Sequence, residues 1–535
     1  MNWIKRIFNR SKPIEWKTEN SIYQYIADNL DAQGCLKDSV HRLPDEPQDD
    51  NENAIKFAPG LIDTLFGAQD TDDSKVRIKQ LNRLIERIAK HGDDVSQLEF
   101  YENITANTDA IGIIDAFLQE MIANQLPINP YFFEFAKGLA FQTRHRNSVK
   151  FGLALLGLCQ NQLIVDKIKI LGLHDEFTVF ATVALTNILE HPTEHLWQLA
   201  RQVDGWGKIQ LVDRLVQMEL SEAQEEWLVL EGYKNSIMYE YLAYTCAVKG
   251  ELHKRLAAPT ISNKFFISAG EILSALIMGG PAEDMVDYEH AATTTKHYIH
   301  HAQKLTSTIA DFLVLKQIQE FLVQIKSDIG NHGKNGWSHE IIDQGLDDIE
   351  PLINDSGWEE LTRHALRSTD HLVYWNGKQA AKKLNMDIWD VLWQKLLDNP
   401  LDFSYWFDVT HDSKPQQADQ IIDFGITAFP LKELATGPKD SLGLGENYSR
   451  YHAFDSLVTF LENHPSKGES IILAALNSPV TSNRNSAINS LSKWTKAHWS
   501  KSIQNQLEEL KNIEPNEKTK NNIERLLNGQ ELSWS

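Results

Sequence analysis

Residues 473–491 read LAALNSPVTSNRNSAINSL, and residues 507–526 read LEELKNIEPNEKTKNNIERL. Each opens on an LxxL pair, Leu473 with Leu476 and Leu507 with Leu510. A proline turn follows, at Pro479 in one and Pro515 in the other. A second segment then carries Arg484, Ala487, Ile488 and Leu491 in the first copy, and Lys518, Lys520, Ile523 and Leu526 in the second. The copies are offset by 34–36 residues, a period in the range of helical repeats. A short helix with one apolar stripe cannot bury that stripe alone, and stacking helix pairs solves the problem. The pattern predicts an all-α chain built as an α-solenoid of helix pairs.

Upstream, the same periodicity runs from about residue 75. Ile78, Leu81, Leu84, Ile85 and Ile88 repeat at helical spacing, the mark of an amphipathic helix. Phe177, Phe180, Ala181, Ala184, Leu185, Ile188 and Leu189 form a second stripe, and Ile209, Val212, Leu215 and Val216 a third. Stop signals are frequent: Pro192, Gly205 with Gly207, Gly279-Gly280-Pro281, and the loop at Gly330, Gly333 and Gly336. No run of alternating strands is present, and no Asn-Gly hairpin joins such runs. Residues 44–53 (PDEPQDDNEN) and 68–74 (AQDTDDS) are acidic and apolar-poor, so they read as linkers. The chain then divides into an N-terminal arm with an acidic linker (1–60), a helical-repeat body (61–440) and C-terminal repeats (441–535).

Of 535 residues, 42% are hydrophobic and 24% charged, an ordinary globular balance. Acidic residues outnumber basic ones 74 to 52, for a formal charge of −22. Such a chain is repelled by phosphate backbones, which makes nucleic acid an unfavourable partner unless Lys and Arg gather on one face. Cys35, Cys159 and Cys246 are far apart and form no CxxC pair, so neither a zinc knuckle nor a redox dithiol is indicated. This cysteine usage suits a reduced, cytosolic protein. The longest apolar run, 151–159, spans nine residues, too short to cross a bilayer. Residues 3–10 carry Trp3, Ile4, Ile7 and Phe8 among basic residues. They are read as an arm folded on its own acidic body, with weak contact to an anionic membrane surface as the other reading.

The paired segments of residues 451–530 resemble HEAT-like repeats of the phycobilisome-lyase type. Three central stretches carry a second resemblance: VDGWGKIQLVDRL (203–215), YKNSIMYEYLAYTCAVKGEL (233–252) and MGGPAEDMVDY (278–288). Across about residues 175–320 the chain resembles a bacterial helical-repeat family often labelled limonene hydroxylase. That label implies oxidation of a monoterpene, and oxidising an unactivated C–H bond implies a metal or flavin that activates oxygen. The chain has no ExxH pair for a di-iron bundle, and no cysteine in a haem-ligand context. GLGEN (443–447) lacks the third glycine of a dinucleotide loop. The residues themselves thus imply no cofactor.

Four constellations remain. His191, Glu194 and His195 spell an inverted zincin pattern, but Pro192 inside it reads as the first turn of a new helix. His297, His300 and His301 spell HxxHH, either a metal face or a solvated polar face. Residues 203–209 fall short of a phosphate loop, with Gln202 in place of its first glycine and Ile209 in place of its Ser or Thr. The fourth is the aromatic-rich segment 371–409. Trp375, Trp389, Trp393 and Trp406, with Asp387 and Asp390, are the candidate partner-binding residues; no metal or cofactor ligand is assigned. Trp389 and Trp393 share a helix face. The segment reads either as a packed core or as an aromatic groove for a basic peptide. The function expected is a non-enzymatic scaffold or adaptor that binds a protein or peptide through an acidic concave surface. The alternative, an oxidoreductase or other enzyme on a small apolar substrate, rests on the family label.

Overall fold

The computed structural model describes residues 16–37, 40, 42–46, 72–106, 112–329 and 335–534. Among these the fold is all-helical, with 28 α-helices and no β-strand. Residues 3–10, most of both acidic linkers, and the glycines at 330 and 333 lie outside the described residues. The chain divides into two compact units, one ending at Trp358 and the other continuing from Glu359.

In the first unit, residues 16–27 are tied to the body. Trp16 stacks on Tyr101 (5.2 Å) and meets Phe135 edge-on (6.0 Å). Helix Ile22–Ala27 is capped by the Ser21 hydroxyl and buries Ile22 and Ile26. The core beneath is phenylalanine-rich: Phe100 meets Phe117, Phe135 and Phe151 at 5.3–6.1 Å, the tilted and edge-on geometries that aromatic quadrupoles favour. Helices Pro130–Phe141 and Arg146–Leu156 approach closely because Gly152 faces the Ala140 backbone with no Cβ between them. Asn129 caps the first of these helices and Pro130 occupies its first turn, where a missing N–H costs nothing. Lys150, wholly buried, holds Glu176 at 2.6 Å.

Gly279 ends helix Asn263–Met278 at φ +67°, as its position in the sequence predicts. Gly205 and Gly207, read as a separator between helices, instead form the first turn of helix Gly205–Leu215. Gly205 sits at φ +61°, and a Cβ on either glycine would run into Asp175, at 2.6 and 2.8 Å. The left-handed backbone at Gly205, and the close packing of Asp175 and Thr178 against this helix start, require glycine here.

In the second unit, the two segments that open the sequence reading fold as helices Glu469–Leu476 and Thr481–Lys493, then Lys501–Ile513 and Glu517–Leu527. Pro479 and Pro515 lie in the intervening turns. Helix Glu469–Leu476 packs on Thr481–Lys493 and on Lys501–Ile513; Thr481–Lys493 also packs on Glu517–Leu527. Arg484 and Glu514 pair between these helices, both side chains wholly buried, at 2.6 Å.

Candidate functional site

The aromatic segment builds a cleft of about 470 Å³ in the second unit. Helix His371–Lys383 forms one wall. Its N-terminus is capped by Asp370, whose carboxylate accepts from the Leu372 and Val373 amides at 2.9 and 3.0 Å. One face of this helix gives the cleft Trp375, Lys378 and Lys382. The chain turns at Asn385, at φ +54°, and begins helix Trp389–Asp398. The opposite wall is helix Phe403–Asp412, capped by Asp402, which supplies Phe407, Asp408 and His411.

At the base, Asp408 is buried and accepts from the Tyr374 hydroxyl at 3.0 Å and from Lys378. Burial raises the Asp408 carboxyl above the usual carboxylate range; the Lys378 ammonium and the Tyr374 hydroxyl oppose that rise without cancelling it. Burial, together with Asp408, raises the Tyr374 hydroxyl far above its ordinary value. At the rim, Lys414 meets Asp387 at 2.5 Å. This contact, with the Trp389 amide, holds the Asp387 carboxyl below its usual range. Phe407 stacks on His411 (3.9 Å), and His411 donates from Nδ1 to the Phe407 carbonyl at 2.9 Å.

The candidate residues separate into four positions. Trp375, Trp389 and Asp387 line the cleft. Trp393 lies behind Trp389, stacked on it at 5.5 Å and edge-on to Phe424 at 5.3 Å. Trp406 is 0% exposed, packed on Phe424 and Phe429, and its indole donates to the Pro400 carbonyl. It belongs to the core beneath the cleft and offers a partner no surface. Asp390 is exposed but is not among the lining residues. Sequence reasoning missed Lys378, Lys382, Lys414 and His411. Lys378 lies one turn beyond Trp375 on the same helix face, which is the signal that could have found it. With these lysines the cleft is charge-balanced, and two of its three aspartates are held by Lys378 and Lys414.

The other motifs resolve into structural features. His191 lies outside helix Thr193–Ala200, and Glu194 accepts from Gln198 at 2.9 Å. His297, His300 and His301 diverge: His301 is buried against the Leu256 carbonyl at 3.0 Å, while His300 is exposed. Lys208 is buried and donates to the Glu231 carbonyl, and burial lowers its pKa. It does not present an ammonium to a phosphate.

A haem or di-iron centre of the kind the hydroxylase label implies would be held by Cys, His or carboxylate side chains. Cys159 and Cys246 are buried, and burial pushes the Cys159 thiol up to about 11 and the Cys246 thiol higher still. A haem thiolate needs the opposite environment. Among the described residues no three His, Cys, Asp or Glu side chains converge to hold a metal. Among them, too, no helix is long and apolar enough to cross a membrane. Comparison of the chain with known protein families, with curated proteins and with solved structures finds no match.

Proposed function

We propose that this chain is a cytosolic adaptor whose HEAT-like helix pairs stack as a solenoid and whose aromatic cleft, Trp375–Trp389–Phe407, grips a segment of a partner protein. The observation that carries the reading is Trp375, 54% exposed at the lip of the cleft. Large aromatic side chains left exposed beside a concavity are the usual anchors of protein interfaces. Lys378 already lies over the Trp375 ring at 5.4 Å, so the ring takes a cation on one face, and an Arg- or Lys-bearing segment is the chemistry that suits the aromatic wall. The charge-balanced lining directs affinity to the aromatic surface rather than to net acidity. The stacking of each C-terminal helix on its neighbour and next neighbour supports the solenoid reading. Three unpaired cysteines support the reducing compartment.

The test is selection of binders from a displayed random-peptide library on the full chain, followed by affinity measurement on the Trp375→Ala variant. Trp375 is exposed, so its replacement leaves the melting temperature within about 2 °C. Selected peptides lose at least about tenfold in affinity on this variant, a little over 1 kcal/mol, as for an interface anchor. Peptides that bind parent and variant equally well refute the reading.

A further inference from the structure

The segment after helix Glu517–Leu527 turns back over the helices of the second unit. Gly529, at φ +71°, closes that helix, and the Gly529 and Gln530 amides donate to the Leu526 and Arg525 carbonyls at 3.1 and 2.8 Å. Residues 531–534 then run as non-helical chain over two helices that pack on each other, Glu517–Leu527 and Thr481–Lys493. Arg525 donates from Nε to the Glu531 carbonyl at 2.5 Å. Leu532 packs on the core. The Asn522 amide takes both backbone groups of Ser533, accepting from its N–H at 2.7 Å and donating to its C=O at 2.8 Å. The Trp534 indole donates to Asn489 Oδ1 at 3.1 Å.

Asn522 is 0% exposed, and among the described residues its side-chain amide bonds only to Ser533. A buried amide needs partners; here the helices supply none and the passing chain supplies both. A side chain that exchanges two hydrogen bonds with one residue does what a neighbouring β-strand does. It recognises backbone, so it takes any residue except proline, which lacks the N–H. Leu532 and Trp534, two apart, project to the same face of an extended chain, one onto the core and the other onto Asn489.

This segment is lightly held. Gly529, Gln530 and Glu531 are exposed, Trp534 is 39% exposed, and of these residues only Leu532 packs on the core. Chain with so few buried apolar contacts opens at far lower cost than the helices beneath it. Opening presents Asn489, Asn522 and Arg525 without melting a helix. We infer that this face binds an extended segment of a partner protein with the pattern apolar–x–Trp, x being any residue but proline. Residues 531–534 are its resident occupant, which the partner segment displaces. Main-chain pairing supplies affinity at such a site, and the alternate side chains supply selectivity. The tethered occupant competes at an effective concentration on the order of millimolar. The face shares no residue with the lining of the aromatic cleft.

The probe is a fluorescent peptide of residues 528–535, capped at both ends, titrated into the full chain. The comparison is the full-length variant Ser533→Pro/Trp534→Ala, whose own segment offers neither the amide nor the indole. This variant binds the peptide at least about tenfold more tightly than the parent, because the resident competitor is disabled. A peptide with proline in place of Ser533 loses that binding. Adding Trp375→Ala to the variant leaves it unchanged, which separates this site from the aromatic cleft. Equal affinity of parent and variant, a proline peptide that binds as well as the original, loss of binding on Trp375→Ala, or no binding up to about 1 mM each overturn the inference. A parent that dimerises, and stops doing so on Ser533→Pro/Trp534→Ala, assigns the face to a second copy and overturns it as well.

Discussion

Arg484 is the most consequential single side chain in the C-terminal helices. Its guanidinium donates to both oxygens of Glu514, from Nε at 2.7 Å and Nη2 at 2.6 Å, and from Nη1 to the Ser478 carbonyl at 2.8 Å. Glu514, the residue closing helix Lys501–Ile513, also accepts from the Asn516 amide at 3.0 Å. Neither charged side chain touches solvent. Arg484→Met therefore leaves a carboxylate in the core with one amide donor, and Glu514→Gln leaves a guanidinium facing a neutral amide. Breaking a buried pair from one side costs about 3–5 kcal/mol. The double variant Arg484→Met/Glu514→Leu removes both charges. It orphans the Ser478 carbonyl and the Asn516 amide, at about 1–3 kcal/mol each, and regains apolar packing. It should lie closer to the parent than either single variant.

A chain of two units does not unfold in one step, so the readout must be local. Native-state hydrogen exchange across 481–513 measures the opening of these helices directly. Each single variant should raise exchange there by about a hundredfold or more, at 1.4 kcal/mol per tenfold. The double variant should recover most of that loss, a coupling of more than about 3 kcal/mol. Exchange within threefold of the parent in Arg484→Met, or a double variant whose loss is the sum of the two singles, would refute the argument that the pair acts as one unit.

Two further perturbations follow from the first unit. Burial, then the neighbouring Asp204, pushes the Asp175 carboxyl up to about 7, whereas in the unfolded chain it ionises near 4. The folded state thus holds an extra proton between these values, and stability falls as pH rises from about 4 to about 7. Asp175→Asn should flatten that slope in the opening of helix Asp175–Ile188, read by hydrogen exchange corrected for intrinsic rates from pH 4 to 8, leaving the smaller contribution of Asp213, whose carboxyl burial and Glu283 push up to about 6; parallel curves for parent and variant would sink the assignment. Gly152→Ala places a methyl against the Ala140 backbone and should cost about 1–3 kcal/mol as overpacking. The loss should appear as faster exchange in 130–156, and unchanged exchange there would show that the two helices separate freely.

The C-terminal helices were legible because their signals are local: LxxL, a proline turn and a second stripe recur within each 34–36-residue period. Gly279 was legible for the same reason, since a stop needs only its own backbone. Gly205 and Gly207 were misread because the packing that excludes a side chain there comes from Asp175 and Thr178, about thirty residues earlier. Long-range partners explain the buried charges too. Nothing near Lys150 or Arg484 in sequence shows that Glu176 and Glu514 will meet them in the core. At the aromatic site, composition showed the density of rings but not their sides. Trp406 and Phe407 are adjacent in sequence, yet one is core and the other lines the cleft, because neighbouring helical positions point about 100° apart.

The same geometry explains why the cleft can hold its shape with nothing bound. Tyr374 and Lys378, at i and i+4, both reach Asp408 on the facing helix, and Trp375, one residue round from Tyr374, is turned outward to the lip. The buried contact sets the spacing between helices His371–Lys383 and Phe403–Asp412. The aromatic wall is displayed by helices whose separation is already fixed. A segment binding there does not have to order the walls first, and preorganisation of this kind lowers the cost of association. Lys378 is therefore a positioning residue for the cleft, and its influence on binding should run through helix spacing rather than through contact with the partner.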